Sequence, residues 1–202
     1  MPVRIPPHIL SLKPYVPGKP IEEVERELGI RGSIKLASNE NPIGPSPLAL
    51  EAIQGEMSNL HRYPEGSGIR LKEALARKHG VAPNQIVLGN GSNEVIELLA
   101  RAFLSPGDDA VMADPSFVVY ALVTQAVGAR SVKVPLRDGV HDLMAMAQAV
   151  AEKTRIVFIA NPNNPTGTSN GAEEVEAMVR AIPPGVVAAF DEAYAEYVGR
   201  PD

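Results

Sequence analysis

Two polar runs, each placed directly after a largely apolar stretch, constrain the fold of this chain more than any other feature. Residues 161–167 (Asn-Pro-Asn-Asn-Pro-Thr-Gly) follow the apolar run 155–160, and residues 191–194 (Asp-Glu-Ala-Tyr) follow the apolar run 186–190. Short apolar runs bounded in this way are typical of buried strands in an α/β sheet. Because open α/β sheets bind ligands at the carboxyl ends of their strands, we expect an amide and a carboxylate there.

The order of elements after residue 45 predicts a mainly parallel sheet. Proline and capping signals indicate helices over residues 46–58 and 69–79, before strands and helices begin to alternate. The predicted strands cover residues 85–88, 109–113, 131–135, 155–160 and 186–190, and the predicted helices cover residues 94–104, 117–127, 143–152 and 173–181. Strands separated by helices of this length favour parallel pairing with right-handed crossovers.

The first forty-five residues differ from the rest of the chain in their proline content. Prolines at positions 2, 6, 7, 14, 17, 20, 42 and 45 oppose long regular elements and favour an extended arm. One short helix is expected over residues 20–28, with Pro20 at its start and Gly29 at its stop. The sequence therefore predicts an arm over residues 1–45 and a domain over residues 46–202.

Composition and charge exclude several classes of function. The 202 residues carry a net charge of −5 without a basic stripe, so neither nucleic-acid binding nor membrane-surface binding is indicated. The chain has no cysteine, and its four histidines lack metal-ligand spacing, so no disulfide and no metal site are expected. No apolar stretch is long enough to span a bilayer, and a cytoplasmic enzyme fits the sequence.

The segment Gly91-Ser92-Asn93, between a predicted strand and a predicted helix, has the composition of an anion site. Small residues let backbone N–H groups approach a phosphate at the N-terminus of a helix. Neither a P-loop lysine nor a dinucleotide fingerprint accompanies the segment, which favours a monophosphate. The same residues also fit an ordinary tight turn.

Four further residues lie at predicted strand ends, where they could surround a planar ring. Phe117 offers an aromatic face, Asn164 an amide, Asp191 a carboxylate and Tyr194 a phenol. A carboxylate at the end of a buried strand needs a partner, which a cationic ring nitrogen would supply. Together with the anion site, these residues predict a pocket for a phosphorylated pyridine ring. Taken singly, Phe117 also fits a core position and Asn164 an Asn-Pro turn.

These motifs resemble those of the pyridoxal-phosphate aminotransferases of fold type I, over the chain from Tyr15 to its end. The matching runs lie at residues 13–20, 37–42, 62–65, 91–94, 114–117, 164–167 and 191–194. The resemblance implies a three-layer αβα large domain that binds pyridoxal 5'-phosphate. The two earliest runs, at residues 13–20 and 37–42, favour the histidinol-phosphate branch of the family, which transfers an amino group between L-glutamate and imidazole acetol phosphate.

The resemblance also implies roles for single residues. Backbone groups of Gly91, Ser92 and Asn93 would hold the cofactor phosphate, and Phe117 would stack on the pyridine ring. Asn164 and Tyr194 would bind the phenolic oxygen of the ring, while Asp191 would pair with the protonated ring nitrogen.

Three residues of the early runs are implied to act from the arm or across a homodimer interface. Tyr63 would reach the cofactor phosphate of the neighbouring subunit, and Tyr15 and Asn39 would border the small-molecule substrate. All three residues also fit a simple packing role. A partner subunit, but no nucleic acid and no membrane, is therefore expected.

The catalytic lysine implied by the resemblance has no match in this sequence. That lysine forms a Schiff base and would follow Asp191, whereas the lysines here lie at positions 13, 19, 35, 72, 78, 133 and 153. We therefore assign no catalytic residue and expect an N-terminal part of the enzyme, with an incomplete large domain and no C-terminal small domain, inactive alone. An aromatic amino-acid transaminase, a threonine-phosphate decarboxylase relative and a non-catalytic dimerisation module remain alternatives.

Overall fold

The computed structural model describes residues 3–15 and 17–199. Its contacts divide the chain into two compact units: the sheet unit, Met1–Lys13 with Val87–Asp202, and the helical unit, Pro14–Ile86. In chain order the helices are α1 Pro7–Leu10, α2 Ile21–Leu28, α3 Pro47–Glu56, α4 Ile69–His79, α5 Gly91–Phe103, α6 Val118–Ala126, α7 Leu143–Gln148 and α8 Ala172–Ala181. The strands are β1 Asp109–Asp114, β2 Arg130–Pro135, β3 Thr154–Ala160 and β4 Val187–Asp191.

The four strands form one parallel sheet in the order β2-β1-β3-β4. From β1 the chain crosses to β2 on one side, and it then returns past β1 to β3 on the other side. The order therefore reverses between β1 and β3, which is where open α/β sheets form a crevice at their carboxyl edge. The predicted parallel sheet is confirmed.

Helices cover both faces of this sheet, because successive strand side chains point to opposite faces. Ala110 and Met112 of β1 pack in the apolar cluster that α5 and α6 cover. Val111 and Ala113 pack in the cluster that α7 and α8 cover on the other face. The sheet unit therefore has the three-layer αβα architecture that the resemblance implies.

The helical unit contains α2, α3 and α4, close to the predicted helices. Two of these helices end at the predicted glycines, since Gly29 and Gly80 both adopt the left-handed conformation with φ of 67°. Ala76 is the one buried residue among those described in this unit. In the described part of the chain, no helix is long and apolar enough to cross a membrane.

The predicted strand over residues 85–88 is wrong. Residues Pro83–Gln85 form a 3-10 turn, and Ile86 after it is extended, but the segment pairs with none of the four strands. An extended segment becomes a strand only when a neighbour supplies partners for its N–H and C=O groups. Val87 is accordingly 71% exposed.

Two smaller differences concern helix ends and the amino-terminal residues. Helix α7 ends at Gln148 rather than at residue 152, because the chain turns there and the Ala151 N–H binds the Thr154 hydroxyl at 2.9 Å. Helix α1, which the sequence did not predict, packs on α6. The Gln125 amide donates to the His8 carbonyl and to the Ser11 hydroxyl, both at 3.0 Å.

Candidate functional site

A pocket opens in the sheet unit at the carboxyl ends of the strands, beside the reversal between β1 and β3. It is lined by Ser92, Phe117, Ala160, Pro162, Asn164, Asp191, Ala193 and Tyr194. Five of these residues, from four separate segments of the chain, are ones that the sequence predicted for this site: Ser92, Phe117, Asn164, Asp191 and Tyr194. Phe117, Asn164, Asp191 and Tyr194 lie at or after the carboxyl ends of β1, β3 and β4, and Ser92 lies at the start of α5 beside them.

Asp191 ends β4 and contributes the acidic group of the pocket. Its Oδ2 atom accepts a hydrogen bond from the Tyr120 hydroxyl at 2.8 Å, and its Oδ1 atom accepts one from the Ala193 N–H at 3.1 Å. A carboxylate can accept about four hydrogen bonds. Acceptor capacity therefore remains for the N–H of a cationic ring, which is the chemistry expected of a pyridine site.

Tyr120, in α6, holds this carboxylate and was not selected in the sequence. Its side chain is buried; the ring stacks on Phe158 with centroids 4.9 Å apart and meets Phe117 edge-on at 5.7 Å. Burial, reinforced by the charge of Asp191, raises the pKa of Tyr120 far above its ordinary value. The hydroxyl therefore stays protonated and donates a hydrogen bond to the Asp191 carboxylate.

The start of α5 has the features of a phosphate site. Gly91 begins the helix with φ of 70°, a conformation that L side chains rarely adopt. The Glu94 carboxylate accepts a hydrogen bond from the N–H of Asn90, the residue that precedes the helix. N–H groups in the first turn, including those of Ser92 and Asn93, lack an intrahelical acceptor and lie at the positive end of the helix dipole. A phosphate fits this position.

Asn163, next to Asn164, is a second residue that was not selected for a role. It is buried at 2% exposure, and its side chain connects the segments after β1 and β3. The Ser116 hydroxyl donates to Asn163 Oδ1 at 3.0 Å, and Asn163 Nδ2 donates to the Pro115 carbonyl at 3.3 Å and the Thr166 hydroxyl at 2.9 Å.

The other selected residues lie outside the pocket lining. Gly91 and Asn93 flank Ser92 in the first turn of α5 and are exposed. Tyr15, Asn39 and Tyr63 belong to the helical unit, where Tyr63 is fully exposed and Tyr15 is 59% exposed. Their implied contacts with substrate or with a second subunit stay predictions.

One signal in the sequence could have located Tyr120. It follows Phe117 by three residues at the start of a helix, and residues three apart share a helix face. Asn163 and Ser116 carry no comparable signal, because their contact joins residues 47 positions apart. Among the described residues, no group of three or more His, Cys, Asp or Glu side chains could hold a metal ion.

The three-layer αβα fold, with a helix N-terminus suited to a phosphate and an acidic residue at the carboxyl edge of its sheet, defines the class of protein. The chain belongs to the family of class I and II aminotransferases, which matches residues 31–202.

Within this family the chain is similar to proteins named histidinol-phosphate aminotransferase. It is 52% identical to that of Moorella thermoacetica over 190 residues, which cover 94% of this chain and 49% of the relative. It is 53% identical to histidinol-phosphate aminotransferase 2 of Pseudomonas fluorescens over 193 residues, covering 95% of this chain and 52% of the relative. The chain therefore spans about half the length of the curated relatives it matches.

The fold matches a solved structure of the same class. The Sinorhizobium meliloti histidinol-phosphate aminotransferase, crystallised in complex with pyridoxal-5'-phosphate, superposes with a TM-score of 0.87 at 31% sequence identity. The match covers 98% of this chain and 53% of that chain.

Proposed function

We propose that this chain is part of a pyridoxal-phosphate-dependent histidinol-phosphate aminotransferase. The whole enzyme would transfer an amino group between L-glutamate and imidazole acetol phosphate, in histidine biosynthesis. The observation that carries the proposal is the single pocket that joins the α5 start, Phe117, Asn164, Asp191 and Tyr194. The similarity to relatives of that name supports the choice of substrate.

The chain's own residues would bind and orient the cofactor. Pyridoxal phosphate supplies the electron-accepting ring that this chemistry needs. Asp191 would accept the N–H of the ring nitrogen and keep the ring cationic, while Tyr120 holds the carboxylate in place from behind. The first turn of α5 would bind the phosphate.

The remaining lining residues would fix the plane of the ring and exclude water from its face. Phe117 would cover one face, with its own orientation set by the edge contact to Tyr120. Asn164 and Tyr194 would donate hydrogen bonds to the phenolic oxygen of the ring. These three contacts and the Asp191 contact would leave the ring little freedom to rotate.

The proposal extends to the assembly and to the rest of the enzyme. Residues 46–202 would form the cofactor-binding part of the large domain, and residues 1–45 an arm. In a homodimer, Tyr63 would reach the phosphate in the neighbouring subunit, and Tyr15 and Asn39 would border the substrate. We place the enzyme in the cytoplasm, which fractionation of cells that express the tagged protein would test.

The lysine that the reaction needs would lie in a part of the whole enzyme beyond these residues. We therefore expect the 202-residue chain to bind the cofactor without catalysing transamination. Cofactor-dependent turnover by the 202-residue chain would contradict this expectation. In the whole enzyme, a preference for phenylpyruvate over imidazole acetol phosphate would overturn the proposed substrate.

Pyridoxamine 5'-phosphate is the best probe of the proposed site, because it carries the ring and the phosphate and requires no lysine. We expect saturable binding by the 202-residue chain, measured by equilibrium dialysis. The Asp191→Asn substitution keeps the shape of the side chain and removes its charge, so affinity should fall about ten- to a hundredfold.

Asp138→Asn is the matched control, since Asp138 is exposed on the loop after β2 and outside the pocket. This control should bind the probe as the unmodified chain does. Absence of probe binding by the unmodified chain, or equal binding by Asp191→Asn, would contradict the proposed site.

A further inference from the structure

The two neighbours of β3 are joined to it differently at the edge that carries the pocket. On the β4 side the backbone pairing runs to the last pair, Ala160 and Asp191, and the Asn161 N–H then donates to the Asp191 carbonyl at 3.0 Å. On the β1 side the pairing ends earlier, at Met112 and Phe158. The segments after β1 and β3 therefore leave the sheet without a continued backbone ladder between them.

The side chain of Asn163 bridges this gap. Its Oδ1 atom accepts from the Ser116 hydroxyl at 3.0 Å, and one N–H of its amide donates to the Pro115 carbonyl at 3.3 Å. The second N–H donates to the Thr166 hydroxyl at 2.9 Å. Asn163 is 2% exposed, so water competes little for these partners.

The bridge is anchored on its own side by the turn that follows β3. The Asn163 N–H donates to the Thr168 carbonyl, and the Asn163 carbonyl accepts from the Gly167 N–H, both at 2.8 Å. The hydroxyl of Thr168 lies 2.8 Å from that of Thr166 and donates to the Gly139 carbonyl at 2.7 Å, in the loop after β2. The amide of Asn163 is therefore held at a fixed place in the edge of the sheet.

Both ends of the bridge are adjacent in sequence to residues that line the pocket. Ser116 precedes Phe117, and Asn163 precedes Asn164. We infer that Asn163 and Ser116 are positioning residues that set the separation between the Phe117 ring and the Asn164 amide, and so the slot that receives a planar pyridine ring. This inference rests on the function proposed above and assigns neither residue a direct contact with the ligand.

A purely structural role for the bridge predicts a different result from a positioning role. The phosphate of a ligand would lie at the start of α5, and within the described residues no hydrogen bond of Asn163 reaches that helix. Weakening the bridge should therefore reduce affinity for a ring-bearing phosphate and leave affinity for phosphate alone unchanged. General loss of folded structure would reduce both affinities together.

The experiment compares pyridoxamine 5'-phosphate with inorganic phosphate on the 202-residue chain and its variants. Ser116→Ala removes one hydrogen bond of the bridge, and we expect it to lower the affinity for pyridoxamine phosphate about two- to tenfold. Asn163→Leu keeps the approximate size and removes all three hydrogen bonds, so its effect should be larger, about tenfold or more.

Ser169→Ala is the matched control for Ser116→Ala. Ser169 lies in the loop after β3 and is half-buried, and its hydroxyl makes no hydrogen bond in the described part of the chain. The affinity for inorganic phosphate, measured by competition, should be the same in all folded variants. Far-ultraviolet circular dichroism and the unfolding midpoint identify any variant that does not fold.

The possible results separate the two proposals. If the unmodified chain does not bind pyridoxamine phosphate, the proposed function fails, and this inference fails with it. If the unmodified chain binds the probe and Ser116→Ala binds it equally well, the positioning role alone is overturned. The same holds if Ser116→Ala loses affinity for inorganic phosphate to the same extent as affinity for pyridoxamine phosphate. Because Ser116→Ala is the milder change, it decides the question even where Asn163→Leu does not fold.

Discussion

The sheet unit and the helical unit bury their apolar side chains to very different extents. In the sheet unit, Ile156, Val157 and Ile159 of β3 have no exposed surface, and Tyr120 and Phe158 are 1% exposed. In the helical unit, the described apolar residues reach high exposure: Ile34 84%, Leu36 94%, Leu48 76%, Ile53 62% and Leu60 77%. Both units contain regular helices, so helix content does not explain the difference.

The comparison shows that the sheet organises burial in this chain. A parallel sheet offers two apolar faces, and the helices on each face need only one apolar stripe to cover them. Among the residues that the structure describes in the helical unit, no strand provides such a surface for its helices. We interpret the exposed side chains of α3 as a surface that the partner subunit would cover in the proposed homodimer.

The largest expected effect compares one isoleucine from each unit. Ile156→Ala removes a fully buried side chain from the centre of the sheet and should cost about 2–5 kcal/mol of unfolding free energy. Ile53→Ala changes an exposed side chain of α3 and should stay within about 0.5 kcal/mol. Urea unfolding followed by circular dichroism measures both. Equal losses would show that the two units are not packed differently.

The next effect compares an anchored ion pair with an exposed one. Asp109 is buried, and Arg130 donates to both of its oxygens, at 2.8 and 2.6 Å. Asp109→Asn should cost about 1–3 kcal/mol, in the lower part of that range because the Arg130 side chain is mostly exposed. Glu27→Gln breaks the exposed Lys19–Glu27 pair of the helical unit and should leave the unfolding midpoint unchanged.

The same substitution predicts a pH dependence with a definite sign. The hydrogen bond from Arg130 lowers the pKa of Asp109 in the folded chain. The stabilisation that ionised Asp109 gives the folded chain is therefore complete above the pKa of the unfolded chain, about 3.9. It is lost as the pH falls through the lower pKa of the folded chain. The difference in unfolding free energy between the unmodified chain and Asp109→Asn should shrink as the pH falls below about 4. A difference that stays constant with pH would assign the loss to packing.

The smallest effect compares two tyrosines in ligand binding. Tyr120→Phe removes the hydrogen bond to Asp191 and keeps the stack on Phe158, so affinity for pyridoxamine phosphate should fall about three- to tenfold. Tyr63→Phe should not change binding while the chain is monomeric, and should weaken it only in a dimer. Measuring affinity at several protein concentrations tests this. A loss for Tyr63→Phe in the monomer would contradict its proposed role across the interface.

Most of the sheet unit could be predicted from local sequence because each element carries its own signal. The apolar runs at residues 109–113 and 155–160 end at polar residues, and β1 and β3 end within one residue of these limits. The segment 85–88 carries a similar local signal and is not a strand. Strand formation depends on a partner from elsewhere in the chain, which no local pattern contains.

The candidate site was predictable only where a residue stands in a motif. Asp191 at the end of β4 and Asn164 after β3 stand in recognisable runs, and both line the pocket. Tyr120 and Asn163 act through partners 71 and 47 positions away, and a tyrosine in a helix or an asparagine before a turn fits many local roles. Their contacts arise from the reversal of strand order between β1 and β3, which exists only in the folded chain.

The tyrosines in and beside the pocket provide a fluorescence signal for ligand binding. The chain has five tyrosines and no tryptophan, so tyrosine dominates its ultraviolet emission. One of these phenols contacts the acidic residue of the pocket, and Tyr194 lines the pocket itself. A pyridine ring bound in this pocket as proposed would lie beside Tyr194, and a change in tyrosine emission on adding the ligand would therefore report occupancy without an attached dye.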